Sequence, residues 1–349
     1  MDKINYQLIT IAREIEGYTQ KEFAAAIKIE QGTLSKIENG LIEKISEELI
    51  NKISYVLNYP ISFFYQDWNP LRIEGHYRRK VSESVKAFKE NKAKMTLAER
   101  HFNILTEHIE LPPVNFPTWD VEHDGEVSMC AKYVREFWRV PKGRIDNVTE
   151  LLEQNGFVII EIELYETDGF SAFSNSGTPL IFVNKNLPGD RYRLTIMHEA
   201  FHFILHHGKK IVPERDIEKE SFEGASEFMV PIYEIEHQLT KLSISKLMDL
   251  KAYWKMSMQA ILYKARHHKL ISESQSQYLW RQFSAAGYRK NEPIDIQKER
   301  PIIFNEILDT YLQEWKYSNE DLKNLLKFNQ IDEWYFNKGI KLKLLKRSL

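Results

Sequence analysis

The sequence predicts a multi-domain, mainly α-helical protein with an α+β core, and three observations support this fold class. The chain has 349 residues, which is more than one ordinary hydrophobic core accommodates. Apolar residues recur at helical spacing towards both ends of the chain. Between them, GFVIIEIEL and TPLIFVN are rich in β-branched residues and predict strands. We expect four parts: residues 1–68, 69–114, 115–295 and 296–349.

Residues 1–68 predict an all-α unit of four short helices. The first ends at Gly17, and Thr19 is positioned to cap the second, QKEFAAAI. The third lies within QGTLSKIENG and ends at Gly40. A fourth helix carries Ile45, Leu49 and Ile53 at helical spacing.

Residues 69–114 predict a charged helical connector that ends at Pro112-Pro113. Its many lysines and arginines are most simply explained as a solvated helix face. Residues 296–349 predict a helical C-terminal region, in which Lys341, Lys343, Lys346 and Arg347 form a solvated end.

The segment LTIMHEAFHFILHH, residues 194–207, contains the pattern H-E-x-x-H on a predicted helix that follows the second strand. Asp190 is positioned to cap this helix. His198 and His202 are four residues apart and therefore lie one above the other on one helix face, where both can bind a single tetrahedral ion. Glu199 lies beside them and can take a proton from water activated by the metal. The alternative is a histidine-rich face of an ordinary amphipathic helix.

A second helix, ERDIEKESFEGASEFMVP, offers a third metal ligand. Glu218 lies one helical turn before Phe222 on an apolar stripe, and a buried glutamate is costly unless it is paired or binds a metal. We therefore favour Glu218, with Glu220 as the alternative. His206 and His207 diverge from the first two histidines and are expected to be structural or to support the metal ligands from behind.

The global composition excludes several classes of protein. The net charge of −2 gives no general affinity for polyanions, and the single cysteine, Cys130, excludes an internal disulfide. The N-terminal residues lack the apolar core of a signal peptide, and no apolar run has membrane-spanning length. These features predict a soluble cytoplasmic protein with no membrane contact.

The stretch DRYRLTIMHEAFHFILHH, followed by the helix that ends in FMVP, resembles the ImmA/IrrE family of metallopeptidases. The resemblance covers roughly residues 115–295. It implies a zincin-like endopeptidase in which His198, His202 and Glu218 bind the metal and Glu199 is the general base. Zinc is the expected ion, with manganese as the alternative. Members of this family cleave a helix-turn-helix repressor, so the resemblance implies a protein substrate of that kind or an antitoxin-like partner.

Two positions depart from the pattern of that family. A small glycine often precedes the second histidine, where this chain has Phe201. The family's A-N-x-F-A pattern is here SFEGA, so that Ser221, Phe222 and Gly224 replace its usual residues. Both departures are expected to reshape the substrate cleft.

Residues 1–57 resemble the XRE (Cro/repressor-like) helix-turn-helix through TQKEFAAAIKIEQGTLSKIENG. In that motif the third helix enters the major groove of double-stranded DNA, and the second crosses the backbone. The residues expected to contact DNA are Gln31, Thr33, Ser35 and Lys36 on the third helix, and Gln20 at a phosphate.

Charge argues against strong DNA binding by a single copy of this unit. Residues 1–69 hold seven Lys and Arg against ten Asp and Glu, a net charge of −3. Because phosphate contacts dominate affinity, a homodimer or the basic residues 78–80 would have to compensate. The alternative is that the unit docks onto another protein, such as a similar repressor.

Together these patterns predict a zinc-dependent endopeptidase coupled to a DNA-binding domain that controls gene expression by cleaving a repressor or antitoxin-like partner. The alternative is a transcriptional regulator whose peptidase fold only senses a metal or ligand.

Overall fold

A computed structural model of the protein describes residues 3–42, 44–68, 84–208 and 215–335. Over these residues the protein is mainly α-helical with one small sheet, which confirms the predicted fold class. The basic residues 78–80 and the lysines and arginine expected to form a solvated C-terminal end lie outside the described residues. No helix in the described ranges is long and apolar enough to cross a membrane.

The N-terminal unit contains the four helices that the sequence predicts. Thr19 caps the second helix through a reciprocal capping box with Glu22, so that two unpaired backbone N–H groups at the helix start are satisfied. Arg13 and Glu38 form a buried ion pair that joins the first and third helices. The helices are α1 (Tyr6–Ile15), α2 (Gln20–Ala26), α3 (Gln31–Glu38) and α4 (Glu47–Leu57), followed by a 3-10 turn at Ile61–Tyr65.

The described part of the connector, residues 84–114, contains the long helix α5 (Val85–Leu105), which is not the solvated helix that we expected. Asn91, Lys94, Glu99 and His101 on this helix are all buried. The Lys94 ammonium donates to Glu90 and to the backbone carbonyl of Glu163, so part of the charge is paired inside the protein. α5 therefore connects the N-terminal unit to the sheet through internal contacts.

Helices α6 (Val127–Phe137) and α7 (Val148–Gln154) precede a three-stranded sheet. Strands β1 (Val158–Ile162) and β3 (Pro179–Asn184) lie within the two predicted segments and pair in parallel. The sequence analysis missed β2 (Gly169–Phe173), which pairs antiparallel with β3. The strand order β1-β3-β2 makes β2 an edge strand.

The sheet separates two hydrophobic cores. One face contributes Ile159, Ile181 and Val183 to a core formed with the helices that follow the sheet. The other face contributes Ile160, Phe182 and their neighbours to a core shared with the N-terminal unit, α5 and the C-terminal region. The N-terminal and C-terminal parts of the chain therefore pack together behind the sheet.

The remaining helices surround the first of these cores and complete the second. Asp190 does not cap α8 as expected, because Pro188 holds the cap position and the Asp190 carboxylate pairs with Lys251. The helices are α8 (Gly189–His206), α9 (Ile217–Met229), α10 (Ile232–Leu239), α11 (Ile244–Trp254), α12 (Met258–His267), α13 (Glu273–Ala285), α14 (Ile303–Asp309), α15 (Asn319–Leu326) and α16 (Ile331–Trp334), with a π-helical turn at Thr310–Glu314 after α14.

Residues 286–302 form neither helix nor strand and join α13 to α14. Glu292 in this segment accepts the backbone N–H groups of Met258 and Gln259 at the start of α12. Glu299 likewise accepts the N–H groups at the start of α7 and pairs with the buried Arg193 of α8. Carboxylates at helix N-termini are favourable, so the segment is fixed in place by its own charges.

Candidate functional site

Helices α8 and α9 bring the predicted metal ligands together. Fifteen of the eighteen residues of α8 are buried, so packing on both sides fixes its orientation. Met197, Phe201 and Ile204 fill the core behind this helix and are completely buried. The opposite face of α8 carries His198 and His202 one turn apart towards a cleft.

The two imidazoles and the carboxylate of Glu218 converge on one point. His198 Nε2 lies 3.0 Å from His202 Nε2, 3.3 Å from Glu218 Oε2, and His202 Nε2 lies 3.6 Å from Glu218 Oε1. One ligand atom from each residue lies within 4.8 Å of the others. Two imidazoles and a carboxylate form the donor set of an open zinc site, which leaves a fourth position for water or substrate.

The structure separates the two candidates for the third ligand. Glu218 faces His198 and His202, whereas Glu220 accepts hydrogen bonds from Arg215 and lies 2.8 Å from His206 Nε2. The sequence analysis favoured Glu218 because it expected this glutamate to be buried on the core face of α9. That reason is wrong, because the side chain is 51% exposed. Glu218 lies on the cleft face of the helix.

A buried network lies behind the second histidine. His202 Nδ1 lies 3.1 Å from Ser221 Oγ and 3.2 Å from His206 Nδ1, and His206 in turn contacts Glu220. Burial acts to raise the pKa of Glu220, but hydrogen bonds from Arg215 and His206 outweigh it, and the pKa is lowered. An ionised Glu220 therefore orients His206, and His206 with Ser221 orients the His202 ring.

Glu199 lines the same cleft, which has a volume of about 500 Å³. Its side chain lies beside the edge strand β2, where a Cβ added at Gly169 would come within 3.3 Å of Glu199 Cγ and 2.7 Å of Thr195 Cγ2. Only glycine allows β2 to approach α8 this closely. Gly169 and strand β2 are parts of the site that the sequence analysis missed, and the only sequence signal was the short alternation GFSAF.

Phe201 and Gly224, the two residues that depart from the family pattern in size, contact each other. A Cβ added at Gly224 would lie 2.4 Å from the Phe201 ring, and Phe201 is completely buried. The family pattern has a phenylalanine at the position of Gly224 on α9. Here Phe201 of α8 fills that space instead, and Gly224 lies opposite its ring. This pair belongs to the core, so the expectation that it reshapes the cleft is wrong for Phe201 and Gly224.

The predicted DNA-contacting residues lie on and beside α3. Gln31 and Lys36 are exposed, and Thr33 and Ser35 are partly exposed on the same helix. Only Leu34 and Ile37 of α3 are buried. The Gln20 amide donates a hydrogen bond of 2.7 Å to Glu38 Oε2, so this side chain is held within the domain rather than extended towards a phosphate.

Comparison with known families supports both halves of this description. Residues 152–266 match the peptidase family described as the IrrE N-terminal-like domain. Residues 9–64 match the family described as Helix-turn-helix. The matched ranges contain all of the residues discussed as candidate ligands and DNA contacts. A comparison with curated proteins finds no match to this chain.

Proposed function

Because the chain carries a helix-turn-helix domain followed by an IrrE N-terminal-like peptidase domain, we propose that it is a DNA-binding regulator with a zinc-dependent endopeptidase activity. The observation that carries this proposal is the convergence of His198, His202 and Glu218 beside Glu199 in one cleft. The buried network behind His202 adds support, since such contacts orient metal-binding imidazoles.

Zinc is the ion that fits this donor set best. Two imidazoles and one carboxylate match the ligands of catalytic zinc sites, and intrinsic affinity favours zinc over manganese where imidazoles contribute. A zinc ion supplies Lewis acidity, by which a peptide carbonyl is polarised and the pKa of a water molecule is lowered. His198 and His202 hold the ion from one helix, and Glu218 holds it from the next.

Glu199 is the proposed general base. Its carboxylate adjoins the first histidine in the chain and lines the cleft, while its side chain is 7% exposed. A carboxylate in this position accepts a proton from the attacking water and delivers it to the amine that leaves when the C–N bond breaks. General bases of this kind contribute about 10²–10⁴-fold to the rate.

The edge strand β2 is the proposed binding surface for the peptide backbone. Gly169, Phe170 and Ser171 of this strand line the cleft, and β2 pairs with β3 along its other edge. An extended peptide can add to an open sheet edge through backbone hydrogen bonds that do not depend on its sequence. The added peptide would run along β2, with its scissile bond between this strand and the candidate ligands on α8.

The N-terminal domain is proposed to direct the peptidase to DNA. Gln31, Thr33, Ser35 and Lys36 present an accessible helix face of the kind that enters a major groove. The acidic balance of the domain makes a homodimer on two half-sites the favoured arrangement, since two copies double the contacts. The proposed substrate is a helix-turn-helix repressor or an antitoxin-like partner, a choice that rests on the resemblance to the ImmA/IrrE family.

One substitution separates the peptidase from a regulator that only senses metal. The zinc-loaded full chain and its Glu199→Gln variant are incubated with peptides derived from a cell proteome, and new termini are identified by mass spectrometry. We expect cleavage by the wild type and a loss of at least about 100-fold in the variant, with zinc content unchanged. Equal cleavage by both proteins, or no cleavage by a fully zinc-loaded wild type, would contradict the proposal and favour the sensor.

A further inference from the structure

One part of the lining of the cleft consists of apolar side chains, and we call it the apolar wall. These side chains come from four helices and line the same cleft as the candidate metal ligands. They are Leu194, Phe222, Ala260, Tyr263 and Trp280. Most of them remain partly exposed, with Tyr263 at 44%, although aromatic groups of this size are favourable to bury.

Phe222 is the central residue of this wall. It follows Glu218 by one turn of α9, so its ring lies on the same helix face as the candidate ligand. The ring meets Tyr263 of α12 edge to face, with centroids 5.6 Å apart, and Tyr263 stacks on His267 at 6.1 Å. Contacts between two helices therefore fix the position of the Phe222 ring.

The residue at this position departs from the family pattern described above. The A-N-x-F-A pattern described above has asparagine where this chain has Phe222. An asparagine amide offers two donors and an acceptor to a bound peptide, whereas a phenyl ring offers only apolar surface. The exchange removes a hydrogen-bonding group from the cleft and replaces it with a surface that favours apolar side chains.

The apolar wall is limited in extent. On its far side, Phe222 and Tyr263 also line a second hollow, where Glu126, Glu223 and Lys264 are among the charged residues. The apolar lining is therefore bordered by charged residues on this side. We take it to accommodate one large apolar side chain of a bound peptide.

We propose that this apolar wall is a specificity site that selects peptides with leucine, methionine or phenylalanine at one position next to the scissile bond, and that Phe222 sets this preference. The inference rests on the proposed peptidase function, which it deepens. Burying a side chain of this size is expected to give a preference of about 10- to 150-fold in kcat/KM over a small polar residue.

The test profiles cleavage sites in a proteome-derived peptide library with the zinc-loaded full chain. The variants are Phe222→Asn, which removes the apolar ring, and Phe222→Leu, which keeps an apolar group. Tyr278→Asn serves as a matched control, because Tyr278 is an exposed aromatic residue of α13 that does not line the cleft. We expect enrichment of large apolar residues at one flanking position for the wild type, Phe222→Leu and Tyr278→Asn, and about tenfold weaker enrichment for Phe222→Asn.

Cleavage without such enrichment, or enrichment that Phe222→Asn leaves unchanged, would overturn the proposal while the peptidase function stands. If neither the wild type nor any variant cleaves peptides, the proposed peptidase function is overturned. A second measurement then tests the specificity site by binding alone. Peptides from a displayed random library are then selected for binding to zinc-loaded Glu199→Gln, with and without Phe222→Asn. Apolar selection that depends on Phe222 would support the specificity site, and its absence would overturn it.

Discussion

Helices α3 and α8 carry the two sets of residues on which the proposed functions depend, and they are built in opposite ways. Two of the eight residues of α3 are buried, against fifteen of the eighteen residues of α8. The candidate DNA contacts therefore have few neighbours to restrain them. The two candidate histidine ligands of α8 are held by packing, and His202 is also held by a hydrogen-bond network with residues of α8 and α9.

The difference follows from the two kinds of recognition. A helix that enters a DNA groove needs a free face, and its side chains can adjust to the base edges when they bind. Metal ligands must be fixed within a fraction of an ångström before the ion binds, so their surroundings cannot be loose. Substitutions around α8 should therefore have much larger effects than those on α3.

The largest effect is expected from removing a metal ligand. His198→Ala and Glu218→Ala should reduce zinc from about one ion per chain to a small fraction, because each removes one of three protein ligands. Glu220→Ala should keep the ion but bind it about 10- to 100-fold more weakly, since it releases His206. Elemental analysis after dialysis against graded chelator measures both. Zinc that survives in Glu218→Ala and is lost in Glu220→Ala would reverse the assignment of the third ligand.

The next largest effect is a difference in the free energy of unfolding between alanine substitutions at two helical glycines, one beside α8 and one on α3. Gly224→Ala should lower the free energy of unfolding by about 2 kcal/mol, because the new methyl group overlaps the Phe201 ring. Gly32→Ala on α3 has no atom within 4 Å of the new Cβ and should be neutral or stabilise the protein by up to about 1 kcal/mol. Urea denaturation measures both.

The contact itself is tested by a double-mutant cycle with Phe201→Ala. If the overlap is the cause, Phe201→Ala combined with Gly224→Ala should cost at least about 1 kcal/mol less than the sum of the single changes. Additive costs would show that the methyl group harms the protein through other contacts.

A smaller effect on the stability of the protein, which depends on pH, is expected from a buried carboxylate of α7. Glu153 accepts the N–H groups of Ile302 and Ile303 at the start of α14, and burial raises its pKa to about 7. Folding therefore favours the protonated form, whose contribution is present below pH 4.5 and is lost as the pH rises to about 7. The stability of the wild type relative to Glu153→Gln should fall by at most about 1.4 kcal/mol per pH unit in this window.

Urea midpoints of the wild type and Glu153→Gln between pH 5 and pH 8 measure this difference. The glutamine keeps an acceptor for the backbone N–H groups but does not titrate, so other titrating groups cancel in the comparison. A relative stability that rises with pH would show that the ionised form of Glu153 is favoured by folding instead.

The smallest effect is expected on α3. Lys36→Ala should weaken binding of the full chain to its own promoter DNA by about 3- to 10-fold and reduce the salt slope by about one if this lysine contacts a phosphate. Lys52→Ala on α4 removes the same charge outside the proposed interface and is the control. Equal affinity of Lys36→Ala and wild type would favour the N-terminal domain as a protein-docking module.

Local sequence signals predicted the parts of the fold that depend on local contacts. The helix cap at Thr19, the strands around Ile160 and Ile181 and the pattern from His198 to His202 can each be recognised within a few residues. The matches to the helix-turn-helix and IrrE N-terminal-like families confirm both resemblances.

The parts that sequence analysis missed depend on contacts between distant segments. Strand β2 has only five residues, and its identity as a strand comes from pairing with β3. Lys94 on α5 is buried only because the sheet and the N-terminal unit cover it. The contact between the large Phe201 and the small Gly224 likewise could not be predicted, because it forms only when α8 and α9 pack together.

The core behind the sheet affects the order in which the protein can be made. The Phe328 ring packs against Tyr59 with centroids 5.5 Å apart, and Gln330 donates a hydrogen bond to Glu16, so residues near the end of the described chain complete the interior of the first unit. A ribosome synthesises the N-terminal unit first, yet the apolar residues that cover it emerge some 270 residues later. During synthesis part of the surface of this unit therefore stays exposed to solvent, and a nascent chain that stalls before α15 lacks the residues that complete the core of the helix-turn-helix unit.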